Sequence, residues 1–249
     1  MTAFKDHFSG HASNYARYRP VYPPELFEYL ASLCDIRETA WDCGTGNGQA
    51  AVELAPYFES VIASDPSEAQ ISNALPHPKV EYRVMPAERT DMLSGSLDLI
   101  TVAQAMHWFD TDLFYEEVRR ILKPSGIFTM WCYKFFEAAP EVDESVQRFY
   151  HEVVYEFWPP ERKKVEDFYQ SIPFPFNRIE TPQFYMAQHW NLDDLMGYVY
   201  TWSATQRYLK KNDAGTLNDL RAELTGIWPT SADEEITFRW PIYLFAGQQ

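Results

Sequence analysis

The sequence predicts an α/β fold, a doubly wound and mostly parallel sheet with helical cap insertions late in the chain. Three observations predict it. Short apolar runs alternate with amphipathic helical runs from residue 24 to residue 136. The first apolar run, Ala40-Trp41-Asp42-Cys43, passes straight into glycines at 44, 46 and 48 and then into a helical stretch. After Phe136 the alternation breaks and helical spacing takes over.

Each element has a local reason. Pro23-Pro24-Glu25 opens a helix whose Leu26, Phe27, Leu30 and Leu33 share one face. A first strand covers 39–43, a helix 48–57, and a second strand 60–65, ending on Asp65. Pro66-Ser67 begins a short helix to Leu75, and Val80–Val84 alternates as a strand does. Ser94-Gly95 turns into a buried strand, 97–102. Asp110-Thr111 caps a helix with Leu113, Phe114, Val118, Ile121 and Leu122 inward, and Lys123-Pro124-Ser125-Gly126 stops it before a strand at 127–133. Beyond that, 143–158 reads as one helix, 183–190 as a strand, 192–202 and 217–228 as helices, and 236–245 as a closing strand with Pro241 marking an edge or bulge. The chain reads as a single domain over 1–249. Its core is 24–136 with late strands at 183–190 and 236–246, and its cap elements lie at 137–175 and 192–232.

Composition narrows the function. A formal net charge of −15 disfavours a phosphate backbone as partner, so no nucleic-acid substrate is expected. No run of 18 apolar residues occurs and the first residues carry no apolar leader, so no membrane partner is expected either. Cys34, Cys43 and Cys132 are far apart and form no C-x-x-C, which fits a reducing, cytoplasmic setting. His7 and His11 have chelating spacing, but Ser9-Gly10 separates them and no acidic partner is near, so no metal is expected. No G-x-S-x-G elbow anchors a serine hydrolase. The oligomeric state stays open.

The chemistry concentrates at the first turn. Glycines there admit φ > 0 and let a ligand lie close to the backbone. Asp42 can hold a cation beside the turn, and a carboxylate ending the second strand, Asp65, suits a ribose diol. Together they describe a site for a nucleoside with a positively charged tail. The dinucleotide fingerprint G-x-G-x-x-G would need a third glycine where Gln49 stands. A NAD-dependent dehydrogenase is therefore the weaker enzyme alternative, and a non-catalytic cofactor-binding module is the other.

Asp42-x-Gly44-x-Gly46-x-Gly48 resembles motif I of the class I S-adenosylmethionine (SAM)-dependent methyltransferases. Gln104-Ala105-Met106-His107-Trp108-Phe109 is similar to a signature of small-molecule methyltransferases like trans-aconitate methyltransferase. Tyr15-x-x-Tyr18-Arg19-Pro20-x-Tyr22-Pro23 resembles that family's N-terminal segment, and Thr201-Trp202-Ser203 a motif of its cap. The resemblance implies a seven-stranded sheet with the last strand antiparallel, SAM as cofactor, S-adenosylhomocysteine as product and a small-molecule acceptor. It places Asp42 near the cofactor ammonium, Gly44 and Gly46 beneath the cofactor, and Asp65 on the ribose with Pro66 beside it. Ala87 and Glu88 fall near the adenine, Gln104 on the methionine side, and Tyr15 and Arg19 fold over the cofactor. Alternatives stay open for several of these. Asp65 can be a helix N-cap, Glu88 and Arg19 solvated charges, and Trp108 core packing. His107 is either a general base or a neutral pocket wall, and Trp108 and Trp202 are candidates to hold the acceptor. If the acceptor is an acid, Arg207, Lys210 and Arg17 are the candidate cations.

Overall fold

The computed structural model describes residues 18–249. Eight strands form the sheet: β1 (Thr39–Cys43), β2 (Ser60–Asp65), β3 (Val80–Val84), β4 (Leu97–Ala103), β5 (Leu122–Cys132), β6 (Asn177–Ile179), β7 (Phe184–Trp190) and β8 (Ile236–Gln248). Their order is β3-β2-β1-β4-β5-β8-β6, with β7 paired to β8 as a branch. The first five strands run parallel, and β8 lies antiparallel to β5, β6 and β7. The order reverses at β1 and β4, so a crevice opens at the carboxyl ends of those strands, where such sheets bind ligands.

The periodicity of the central strands explains the two layers. In β4, Leu99 faces the side covered by α1 (Pro24–Ser32) and α2 (Gln49–Leu54), while Ile100 and Val102 face α4 (Thr111–Ile121). Leu26, Phe27, Leu30 and Leu54 fill the first layer; Phe114, Val118 and Ile121 fill the second. All are essentially inaccessible, and each such side chain contributes about 1.5–3 kcal/mol relative to exposure. Between β2 and β3 lies the short helix α3 (Glu68–Ser72), capped by the Ser67 hydroxyl. Asp110 caps α4 by accepting the Leu113 N–H, so that boundary follows the sequence.

The late segments differ from expectation in instructive ways. The helix read over 143–158 is α5 (Pro140–Arg148), continued by a π-helical turn at Phe149–Val153 and a 3₁₀ turn at Tyr155–Phe157. The wider turn places Tyr150 against Phe135, Trp158 and Trp202, contacts that a spacing rule does not contain. β6 was not expected, because three residues with two exposed side chains carry no alternation. β5 begins at Leu122, which pairs with Leu97 before the register shifts across 123–126, so the expected loop is an irregularity inside the strand. The strand at 184–190 pairs with the first half of β8, Ile236–Ile242, and makes the eighth strand. Around it pack α7 (Leu192–Tyr200), α8 (Ser203–Leu209) and α9 (Gly215–Ile227), with the four-residue helix α6 (Lys163–Glu166) nearer the site. The same buried cluster runs from Leu26 and Trp131 through Trp190, Trp202 and Trp240, so these helices share the sheet's core. No helix among the described residues is long and apolar enough to cross a membrane.

Gly48 shows how tightly the first turn is packed. It precedes α2 at φ 87°, and a Cβ there would sit 2.2 Å from the Tyr82 hydroxyl, which is itself held by the Leu75 carbonyl at 2.6 Å. Gly48→Ala is expected to destabilise the protein by about 1–3 kcal/mol, from left-handed strain plus displacement of Tyr82. Urea denaturation measures it; an unchanged midpoint would show that the turn relaxes freely.

Candidate functional site

The turn after β1 is built from backbone. The N–H groups of Gly44 and Thr45 both donate to the Ser64 carbonyl at 2.9 Å, which ties the turn to β2. Gly44, Gly46 and Gly48 all have positive φ, 70°, 56° and 87°, yet they do different work. A Cβ on Gly44 would strike Ala105 at 2.6 Å, so Gly44 serves packing, as Gly48 does. A Cβ on Gly46 would meet nothing within 4 Å: its free side is open space. That space is a chamber of about 170 Å³, bounded by Gly44, Gly46, Asp65, Pro66, Gln104 and Phe109 among others.

Asp65 reaches both sides of this chamber's floor. Its Oδ2 accepts the Gly46 N–H at 3.0 Å and its Oδ1 the Ser67 N–H at 2.9 Å. The cap of α3 is the Ser67 side chain, so Asp65 is not that helix's N-cap. Asp42, which the resemblance places near the cofactor ammonium directly or through water, lies behind the turn. It is fully buried and does not line the chamber; its carboxylate accepts from the Thr45 hydroxyl at 2.5 Å and the Thr101 hydroxyl at 2.9 Å. Burial raises its pKa to about 6; those hydroxyl bonds oppose the rise, and the nearby Asp65 charge adds to it. Ala87 is buried and Glu88 accepts the Asp110 N–H at 3.1 Å, so neither lines the chamber. Tyr15 lies outside the described residues.

A second chamber adjoins the first, under α7, α8 and the segment around Tyr150. His107, Trp108, Trp202, Tyr150, Lys134 and Arg162 line it. Arg19, Gln104, Trp108 and Tyr133 line both chambers and form the wall between them. Arg19 spans from the sheet to the helices: it donates to the Thr201 carbonyl at 3.4 Å and lies 5.7 Å from the Tyr198 ring centre. Gln104, at φ 54°, has its amide committed to the Tyr133 backbone, donating to its carbonyl and accepting its N–H, both at 2.9 Å. These two bonds hold its side chain in the wall between the chambers.

His107 is buried, its Nδ1 lies 2.8 Å from the Tyr169 hydroxyl, and its ring packs 4.7 Å from that of Trp108. Burial, with the charges of Arg162 and Lys164, drives its pKa well below the usual histidine value, so the ring is neutral. The cations of this chamber are not those the sequence offered. Arg207 and Lys210 line a separate surface groove with Glu156 and Glu161, and Arg17 lies outside the described residues. Lys134 and Arg162 occupy the chamber instead, and both pair with Glu166, Arg162 at 3.9 Å. Arg162 also stacks over Trp158, 4.5 Å from its ring centre. Lys134 had a signal that went unused: it stands just past the carboxyl end of β5, the end at which sheets of this kind bind ligands. Tyr150, Arg162 and Tyr169 had none, because helices and turns outside the alternating core bring them in.

A family model described as a methyltransferase domain matches residues 41–130. A Dictyostelium discoideum protein named as a methyltransferase is 35% identical over 254 residues, covering 100% of this chain and 97% of its own. The chain belongs to the methyltransferase family. A solved structure from Anaeromyxobacter dehalogenans, named as a type II methyltransferase, matches with a TM-score of 0.86 at 42% identity, over 92% of this chain and 97% of that one. A Saccharomyces cerevisiae protein named as an S-adenosylmethionine-dependent methyltransferase is 30% identical over 131 residues, 49% of this chain and 45% of its own. The sheet order and antiparallel β8 are those expected of the class I fold, and the protein is a SAM-dependent methyltransferase of that class. The dehydrogenase and the non-catalytic module find no support among these relatives.

The buried Asp42 gives the methyltransferase a pH signature. Its folded pKa, about 6, lies above the ordinary carboxylate value, so the folded state binds the proton more tightly than the unfolded chain. The stability this contributes is complete below the unfolded pKa, near pH 4, and is lost as pH rises through 6, an effect of about 2–3 kcal/mol. Asp42→Asn is expected to flatten the ligand-free protein's stability between pH 4 and 6 and to raise it at pH 7. Denaturant midpoints across that range check this; a slope retained in the variant would assign it to other groups.

Proposed function

We propose that the first chamber holds S-adenosylmethionine, that S-adenosylhomocysteine leaves from it, and that a small-molecule acceptor binds in the second chamber. The observation that carries this reading is the pair of adjoining chambers with one shared wall, Arg19, Gln104, Trp108 and Tyr133. The chain's own residues fit the cofactor. Gly46 leaves open space where its backbone faces the chamber, and Asp65 stands at the edge with a carboxylate suited to a diol. The carboxylates of Asp42 and Asp65 raise the negative potential there, which favours a ligand bearing positive charge. Bound in that chamber, the cofactor supplies an electrophilic methyl on a sulfonium, open to in-line attack.

The residues then have distinct tasks. Gly44 and Gly46 let the turn lie close to the cofactor, Asp65 holds its ribose with Pro66 beside it, and Gln104 and Arg19 bound its methionine side. Asp42 secures the turn from beneath through Thr45 and Thr101. Glu88 holds the Asp110 N–H outside the chamber's lining, next to buried Ala87. Trp108 presents an aromatic surface to both chambers, and a π face attracts a cation by about 0.5–2 kcal/mol. Trp202 and Tyr150 wall the acceptor side, and His107 faces the reacting region. The segments 137–175 and 192–232 act as the cap that sets acceptor choice and excludes water. Lys134 and Arg162, two cations against the one carboxylate of Glu166, favour an acceptor that carries negative charge. The three buried free thiols fit a reducing, cytoplasmic setting.

Calorimetry with SAM and S-adenosylhomocysteine tests the cofactor. Asp65→Ala is expected to weaken both by roughly 1–3 kcal/mol, through lost charge-assisted hydrogen bonds. Gly46→Val is expected to abolish binding while the sheet stays folded, because the branched side chain enters the open space and opposes φ 56°. Wild-type affinity in Gly46→Val would place the cofactor elsewhere. Radiolabelled SAM incubated with metabolite extracts split into acidic, neutral and basic fractions tests the acceptor: label is expected in a product from the acidic fraction. Label only in the neutral or basic fraction would overturn the charge argument.

A further inference from the structure

We propose that Tyr169 is a positioning residue that locks His107 in the tautomer with its proton on Nε2, so that His107 faces the acceptor as a neutral hydrogen-bond donor and not as a base. The proposal rests on the second chamber being the acceptor's.

The argument starts from the hydroxyl. Tyr169 is fully buried; its hydroxyl lies 2.8 Å from His107 Nδ1, and the His107 backbone N–H also acts on the phenol oxygen. A phenol has one proton to give and lone pairs to share; a neutral imidazole has one N–H and one acceptor nitrogen. If Nδ1 carried the proton, it would donate to the phenol oxygen and the phenol's own proton would be buried with nowhere to go. If the phenol donates to Nδ1, only lone pairs go unmatched, which is the cheaper deficit. The second arrangement leaves the His107 proton on Nε2, and that nitrogen, with no protein partner among the described residues, is left to the chamber that His107 lines.

An ion pair between the two rings is disfavoured from both sides. Burial pushes the Tyr169 phenol well above its usual value and the His107 ring well below its own. The charged groups acting on His107 are Arg162 and Lys164; the buried Cys132 thiol and Arg162 act on Tyr169. Two cations beside the ring oppose an imidazolium at any step.

The backbone shows that this placement is held against local preference. Phe168 and Tyr169 both have left-handed φ, 57° and 63°, unusual for two successive aromatic residues. Their N–H groups close the turn after α6 on the carbonyls of Val165 at 3.0 Å and Lys164 at 2.8 Å, and the Phe168 ring stacks on Tyr243 with centres 3.8 Å apart. The fold thus holds a strained turn that delivers the Tyr169 hydroxyl to His107, as strained residues at functional sites do.

The chemistry closes without a base if the acceptor is an ionised oxygen, such as a carboxylate. Its electron pair forms the new O–CH3 bond, the S–CH3 bond breaks with its pair left on sulfur, and no proton moves. Nε2–H then orients that oxygen beside Lys134 and Arg162.

Two-bond 1H–15N correlation on the [15N]histidine-labelled enzyme with S-adenosylhomocysteine tests this. The His107 signals, identified by their loss in His107→Gln, are expected to show Nε2 protonated and Nδ1 bare from about pH 5.5 to 8, a range in which an unshifted histidine titrates. In Tyr169→Phe both tautomers are expected to populate and His107 to titrate at higher pH, with S-adenosylhomocysteine affinity within about threefold of wild type, a structural change local to the acceptor side. A proton on Nδ1 in the wild type, an imidazolium at pH 7, or an unchanged pattern in Tyr169→Phe would overturn the proposal. The wild-type spectrum decides it alone should Tyr169→Phe fail to fold. Failure to bind S-adenosylhomocysteine would instead count against the cofactor assignment, and the tautomer remains readable in the free enzyme.

Discussion

Where β4 and β5 run out, the side chain of Gln104 continues the ladder between them. Its amide donates to the Tyr133 carbonyl and accepts the Tyr133 N–H, so both backbone groups of Tyr133 are paired past the end of β4. Much of the site depends on this clamp. Gln104 and Tyr133 belong to the wall that divides the two chambers, His107 and Trp108 follow Gln104 by three and four residues, and Lys134 follows Tyr133 directly. The clamp requires Gln104 at φ 54°, a conformation a glutamine rarely takes, and both bonds to one partner residue compensate it. Two bonds from one amide to one residue fix the orientation of the Gln104 side chain in the wall.

Charge is segregated across that wall. On the side of the first turn stand Asp42 and Asp65, close enough that one raises the pKa of the other. On the far side stand Lys134 and Arg162, with Glu166 shared between them. The first chamber thus suits a cationic ligand and the second an anionic one. Aromatic surface lines this boundary, with Trp108 common to both sides, Tyr150 edge to face with Trp202, and Trp158 tilted against both in the lining of the second chamber.

The polar groups around the chambers divide into those that hold the frame and those that also line a chamber. Asp42, with Thr45 and Thr101, is frame: the carboxylate is satisfied internally and sits beneath the glycine turn. Half-buried Asp65 lines the first chamber while also holding the Gly46 and Ser67 N–H groups, so it joins frame and chamber. His107 is similar, with one ring nitrogen fixed by Tyr169 and the other left to the chamber. Such residues combine rigidity with function because one atom is anchored and another is exposed to chemistry.

The sequence by itself determined the sheet's first half and the glycine turn. Thr39–Cys43, Ser60–Asp65 and Val80–Val84 are legible to the residue, the first two as short, mostly apolar runs ending at turn residues and the third, an edge strand, by its alternation. The glycines and Asp65 were legible for the same local reason: a positive φ and a strand-end carboxylate are properties of a few consecutive residues. Only the tertiary structure decided that Asp42 points inward, that Ala87 and Glu88 stay outside the first chamber, and that Lys134 and Arg162 rather than Arg207 or Lys210 supply the cations. It alone set Tyr169 against His107, 62 residues away. Periodicity reports which face of an element is buried, but not which distant side chain arrives opposite it. That is settled by how the helices after Phe136 pack over the sheet, and no local pattern encodes it.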